Sequence, residues 1–160
     1  MSQKLIAYFS ASGSTANLAK TLAAAADAEL YEIRPAIPYE RRDLNWMDKK
    51  SRSTLEMQDK SCRPALADVD APLADADVIF LGFPIWWYRE PSIVDSFLDA
   101  YDFSGKTIVP FFTSGGSDLG EGQERIEALA KNAKVLSGKR FSARAPEREL
   151  TGWIAGLQLA

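Results

Sequence analysis

The sequence predicts an α/β fold of three layers, a parallel sheet of five strands with helices on both faces. Three observations predict it. Continuous apolar runs at residues 5–9 and 78–82, and a strand-like stretch at 107–112, read as strands buried on both faces. Each run stops at a loop and is followed by apolar residues three and four apart, the spacing of a helix packed on a sheet. The chain has 160 residues, 46% of them apolar, enough for one sizeable core and too few for two.

Residues 5–9 form the first strand, which ends at Ser10-Ala11-Ser12-Gly13. Leu18, Ala19, Leu22, Ala25 and Ala26 then mark a helix. Residues 29–33 alternate like a half-buried edge strand. Residues 35–64 are rich in both charge signs and too long for a plain connection. They are read as a solvated segment with one polar helix around residues 48–60. Residues 78–82 are the third strand, and Pro91 opens a helix whose stripe is Ile93, Val94, Phe97, Leu98 and Tyr101, since proline suits a first helical turn. Residues 107–112 are the fourth strand, although Pro110 demands an edge, a bulge or a strand end there. Ile126, Leu129, Ala130 and Ala133 mark a helix, residues 134–136 open a short last strand, and Leu150, Trp153, Ile154 and Leu157 line a C-terminal helix docked on the sheet. No repeat, low-complexity tract or linker interrupts this pattern, so residues 1–160 read as a single domain.

Composition narrows the chemistry. Lys and Arg total 19 against 22 Asp and Glu, a net charge of −3, which argues against a nucleic-acid or membrane binder working through phosphate charge. There is no histidine, which removes Ser-His-Asp and Cys-His nucleophiles and His-ligated metals. Cys62 is the single cysteine; it closes no disulfide, builds no thiolate cluster and fits a reducing cytoplasm. A thiol is activated where a cation and a helix start together lower its pKa, and without that pair Cys62 reads as a packed thiol. No stretch approaches the ~20 apolar residues of a membrane span. Neither a metal site nor a catalytic acid or base is expected.

Parallel sheets bind ligands beyond the C-terminal strand ends, so the loops after the first, third and fourth strands carry the information. The first contains Ser10, Ser12, Gly13, Ser14 and Thr15. Its hydroxyls, glycine and helix-start amides suit a phosphate, and a helix cap would need only one hydroxyl. It lacks both the P-loop lysine and G-x-G-x-x-G, which favours a monophosphate. The second, residues 82–88, holds Pro84, Ile85, Trp86, Trp87 and Tyr88; rigid aromatics on a loop suit a planar ligand. One tryptophan folding back to plug the core is as good a reading as one facing a ligand, but two plugs are not. The third has Thr113, Ser114, Gly115, Gly116, Ser117 and Asp118, where paired glycines expose backbone groups.

These three loops, in this order and spacing, resemble the short flavodoxin-like FMN-binding proteins. The resemblance covers residues 4 to about 141. It implies a flavodoxin-like sandwich of strand order 2-1-3-4-5 with non-covalent FMN at the strand ends. The phosphate would sit on Ser10, Ser12, Gly13, Ser14 and Thr15 with Asn17 nearby, and the ring on Pro84, Ile85, Trp86 and Trp87, edged by Thr113, Ser114, Gly115, Gly116 and Ser117. The family's electron carriers are strongly acidic, whereas this chain carries only −3. The function implied is electron transfer through FMN, with a redox partner protein. An alternative is an NAD(P)H-dependent FMN or quinone oxidoreductase; a third drops the flavin and keeps an anion-binding interaction module. Arg41, Arg42 and Arg89 are the cations available to a pyridine nucleotide, yet each reads as a solvated surface charge. Tyr39 and Trp46 offer only aromaticity as lids, and Tyr8 and Tyr31 read as strand residues. No nucleic acid or membrane is expected as partner, and the chain is expected to be a monomer or homodimer.

Overall fold

Strands β1 (Lys4–Tyr8), β2 (Glu29–Glu32), β3 (Val78–Pro84), β4 (Thr107–Thr113) and β5 (Lys134–Val135) lie parallel in the order β2-β1-β3-β4-β5 in the computed structural model, which describes residues 3–114, 118–157 and 159. The register sets Ile6 beside Phe80 and Ile79 beside Ile108. Successive side chains therefore leave on opposite faces, and both faces are apolar. Leu5, Ala7, Phe9, Ile79, Leu81 and Phe83 join one core with α3 (Ser92–Ala100) and α4 (Gly122–Leu129). Ile6, Tyr8, Phe80, Val109 and Phe111 join the other with α1 (Ser14–Ala26) and α5 (Glu147–Leu157). This is why the strands read as unbroken apolar runs and the helices as stripes: Leu18, Leu22, Ile93, Val94, Ile126 and Leu150 are all fully buried. β2 has one neighbour and mostly exposed residues, as an edge strand must.

Pro110 is accommodated by its neighbour. Ile108 accepts the Leu136 amide at 2.9 Å, and Phe112 accepts the Phe141 amide at 2.9 Å. Between them Pro110 has no N–H to offer the same edge. The outer strand breaks there, into β5 and a sixth strand, β6 (Lys139–Arg140), which pairs with the far end of β4. The Gln123 side chain spans the break: its amide donates to the Leu136 carbonyl at 3.0 Å, and its oxygen accepts from the Gly138 amide at 2.9 Å. The rule against proline in a central strand is met by interrupting the partner.

The charged segment holds a 3-10 helix, Arg41–Leu44, and a helix α2, Arg52–Gln58, capped by Ser51. α2 starts later than the expected residue 48 because Asp48 is used in a turn, accepting the Lys50 amide on its side chain and the Ser51 amide on its carbonyl. A bridge between Pro35 and Leu66 and the ion pair Arg34–Asp68 at 2.8 Å clasp the base of the segment. Among the described residues, no helix is long and apolar enough to cross a membrane.

Gly82 marks the tightest approach in the sheet. A Cβ there would fall inside the contact distance of the Phe111 ring, in a strand with no exposed residue. Gly82→Ala is expected to lose about 1–3 kcal/mol by overpacking, read as a lowered urea midpoint at unchanged m-value.

Candidate functional site

The C-terminal ends of β1, β3 and β4 bring the first loop, the aromatic loop and the start of the third loop together. A buried hydrogen bond of 2.9 Å joins the hydroxyls of Thr15 and Thr113. The Ile85 amide donates to the Thr113 carbonyl at 3.0 Å. Both threonines are thus committed to joining the loops. Gly115, Gly116 and Ser117 lie outside the described residues.

In the first loop the Ser10 hydroxyl accepts the Gly13 amide at 3.1 Å. Gly13 sits at φ 97°, a left-handed conformation that favours glycine. It leads into α1 with no side-chain cap, and the amides of a first helical turn have no intrahelical acceptor. Ser12 and Ser14 line an open cleft of about 450 Å³ in front of that turn, with Pro84, Ile85, Thr113 and Ser114. Asn17 points elsewhere: its amide donates to the Ala143 carbonyl at 2.6 Å. That bond brings in a wall absent from the sequence reading, Arg140, Phe141, Ser142 and Ala143, on the far side of the cleft. No local signal in the sequence marked it, because the strand that carries Arg140 was not read there.

The second loop is a tight turn. Trp86 and Arg89 exchange backbone hydrogen bonds at 3.0 and 3.2 Å, and the residues between them, Trp87 and Tyr88, sit at φ 48° and 64°. Two-residue turns of this hand usually take Asn-Gly, and bulky residues there store roughly 1–2 kcal/mol each. Gly120 packs so closely on the Tyr88 carbonyl that a Cβ would collide with it. The tryptophans divide as the sequence allowed. Trp86 folds back, edge-on to Phe9 and Tyr39 at centroid distances of 5.7 and 5.6 Å, and Trp87 faces outward, 40% exposed. Both line a second cleft of about 410 Å³ with Leu44, Trp46, Ser53, Ile85 and Tyr88. Ile85 is common to both clefts. Trp46 therefore is at the site and 70% exposed. Tyr39 instead props the wall from behind, donating to Glu56 under the Arg52 guanidinium; burial and that carboxylate raise its pKa.

Arg89 overturns its reading as a solvated charge. It is 1% exposed. Its guanidinium donates to the carbonyls of Glu90 at 3.1 Å and Met57 at 3.2 Å, and to Asp95 and Ser92 at 3.4 Å. The first anchor holds the aromatic turn, the second α2, and the last two α3. Arg125 of α4 completes the cluster, bonding Glu90 at 3.1 Å and Asp95 at 2.5 Å, while Arg63 approaches Asp95 at 3.8 Å. Arg41 and Arg42 are exposed, as expected, and Arg42 pairs with Glu40 at 2.8 Å. Glu90 and Asp95 are both fully buried. Among the described residues, Glu90 Oε1 and Asp95 Oδ1 have no hydrogen-bond donor. Burial first, then the adjoining Asp95 carboxylate, pushes the Glu90 pKa up to about 9. The proton retained by Glu90 gives these two oxygens a donor to share.

Burial raises the pKa of the Cys62 thiol, with Glu56 adding to it, which fits a packed thiol. Among the described residues, no group of three or more His, Cys, Asp or Glu could hold a metal ion.

A family model described as Flavodoxin matches residues 3–157. No curated protein matches the chain. Among solved structures, it is similar to a candidate flavoprotein from Bacteroides eggerthii, at 38% identity and TM-score 0.93, with 100% of both chains covered. A second candidate flavoprotein, from Bacteroides uniformis, is 41% identical at TM-score 0.91, covering 96% of this chain and 98% of its own. The fold extends to a Lactobacillus acidophilus flavoprotein crystallised with FMN, at 22% identity and TM-score 0.72, covering 96% of this chain and 99% of that one.

Proposed function

The chain belongs to the flavodoxin family, and from that premise we propose that it is a single-domain redox protein carrying electrons through non-covalently bound FMN. One observation carries the reading: the hydroxyl-lined start of α1 and the aromatic turn open onto two clefts that share Ile85, so one ligand with a phosphate at one end and a flat ring at the other can occupy both. The residues fit that ligand. Gly13 leaves the first amides of α1 exposed to an anion, Ser12 and Ser14 add hydroxyl donors, and Ile85, Trp86 and Trp87 give an apolar and aromatic face. FMN, when bound, supplies the one- and two-electron chemistry. The protein positions it, and its aromatic wall keeps water from one side.

An electron carrier is favoured over an NAD(P)H-dependent reductase by where the three arginines considered for a pyridine nucleotide lie. Arg89 is locked in the core, and neither Arg41 nor Arg42 lines either cleft. Trp46, Trp87 and Tyr88 leave an exposed apolar rim at the second cleft, a surface suited to a protein partner. This rim would let a chain of charge −3 dock without the strong acidity of other carriers.

The test is the visible spectrum of the purified protein after FMN addition and desalting, followed by anaerobic NADPH and then dithionite. Retained yellow colour, indifference to NADPH and reduction by dithionite are expected. Rapid catalytic NADPH oxidation would make the chain a reductase, and failure to retain FMN would remove the flavin reading altogether.

A further inference from the structure

We propose that Arg140 and the Ser142 hydroxyl form the outer wall of the phosphate site and make the protein select a phosphorylated flavin over its unphosphorylated form. The inference rests on the reading of the two clefts as the FMN site, and adds residues that none of the three motif loops contains.

The sheet places them. β6 pairs Phe111 with Lys139 and Phe112 with Arg140, so Arg140 stands at the end of the sheet beside Thr113 and Ser114. Alternation along the strand separates it from its neighbours: the Lys139 ammonium lies over the Phe141 ring at 5.6 Å, and Phe141 is buried among the residues of α1 and α5. Among the described residues that line the first cleft, Arg140 alone carries a charge. Among the described residues, no carboxylate or other group is bonded to it. A surface arginine without a counter-ion, facing a cleft already lined with hydroxyls and helix-start amides, is placed for an anion.

The backbone that presents it is held firmly. The Phe141 amide bonds the Phe112 carbonyl at 2.9 Å, Asn17 holds the Ala143 carbonyl at 2.6 Å, and the Ala145 amide bonds the Ser142 carbonyl at 3.0 Å. The Ser142 oxygen accepts the Arg144 amide at 3.1 Å, which leaves its own hydrogen to donate. Asn17 thus acts indirectly, as a positioning residue that ties this wall to α1.

Charge gives the wall its purpose. A helix start contributes roughly half a positive charge, whereas a phosphate monoester carries about −1.5 to −2 near pH 7. The first loop contains no Lys or Arg, so a full cation must come from elsewhere. A guanidinium matches two phosphate oxygens at once.

The experiment is titration of FMN and of riboflavin into the full chain, wild type and Arg140→Gln, followed by quenching of flavin fluorescence at low and moderate salt. We expect R140Q to weaken FMN about tenfold, equivalent to about 1.4 kcal/mol, to flatten the salt dependence of FMN binding, and to change riboflavin less than twofold. Arg140→Lys should recover part of the loss, keeping the charge without the fork. Equal weakening of FMN and riboflavin, or no change in FMN, would overturn the role of Arg140. Wild-type protein that binds both flavins equally well would overturn the selection itself, and wild-type protein that binds neither would instead overturn the reading of the cleft. Arg140 is on an exposed edge strand, and unchanged thermal melting of R140Q checks that the fold is intact.

Discussion

Arg89→Ala is expected to lose about 3–5 kcal/mol of folding stability, because it empties the space of a fully buried side chain and leaves the Glu90 and Met57 carbonyls, Ser92 and Asp95 without the donor they share. The guanidinium is the largest of the fully buried side chains, and its loss leaves Asp95 sharing Arg125 with Glu90 while the Met57 carbonyl loses a donor. The consequence is local as well as global. Trp87 and Tyr88 hold left-handed backbone, which persists only where the surroundings over-determine it. Arg89 is the residue that closes the turn and bolts it to α2 and α3. R89A should therefore also shift tryptophan emission and weaken flavin binding, at temperatures where the chain remains folded. Urea denaturation followed by far-ultraviolet dichroism and by tryptophan fluorescence measures both effects. A loss below about 1 kcal/mol, the range of exposed pairs, would show that the cluster is not an anchor.

The second large effect is on pH. The Glu90 carboxyl titrates near 9 in the folded chain against an ordinary value of 4.5. Between those values the folded state holds one proton that the unfolded state has released, so this group's contribution is complete below about pH 4.5 and declines as pH rises towards 9. The slope is at most about 1.4 kcal/mol per pH unit. Glu90→Gln keeps the shape of the protonated acid and its donor to Asp95 and cannot ionise. The difference in stability between E90Q and wild type should therefore grow with pH, leaving E90Q the more stable at pH 8. Chemical denaturation of both proteins at pH 5, 6.5 and 8 isolates it, since every other titrating group is shared. A wild-type protein more stable than E90Q throughout would mean that Glu90 is ionised and paired with Arg125.

These two residues show where sequence reasoning stopped. Arg89 follows an aromatic loop, and the charged residues around it gave no sign of burial. Its partners lie at Met57, Asp95 and Arg125, on helices whose packing is set by the whole core. Thr15 read as a phosphate hydroxyl in a row of hydroxyls, but its bond to Thr113 spans 98 residues. Arg140 was invisible for another reason: the strand that carries it exists because Pro110 breaks the one before it.

What the sequence determined by itself is what depends on neighbours in the chain. Periodicity two and 3.6 set the strands and helices, and glycine, serine and proline set the loops between them. The order of those pieces, with the rule that ligands gather at parallel strand ends, located the cleft. Tertiary structure alone decided which side chains face it. That choice depends on desolvation and on partners far away in sequence: a guanidinium with four acceptors is stable in the core, whereas one with none stays in water, where an anion can reach it.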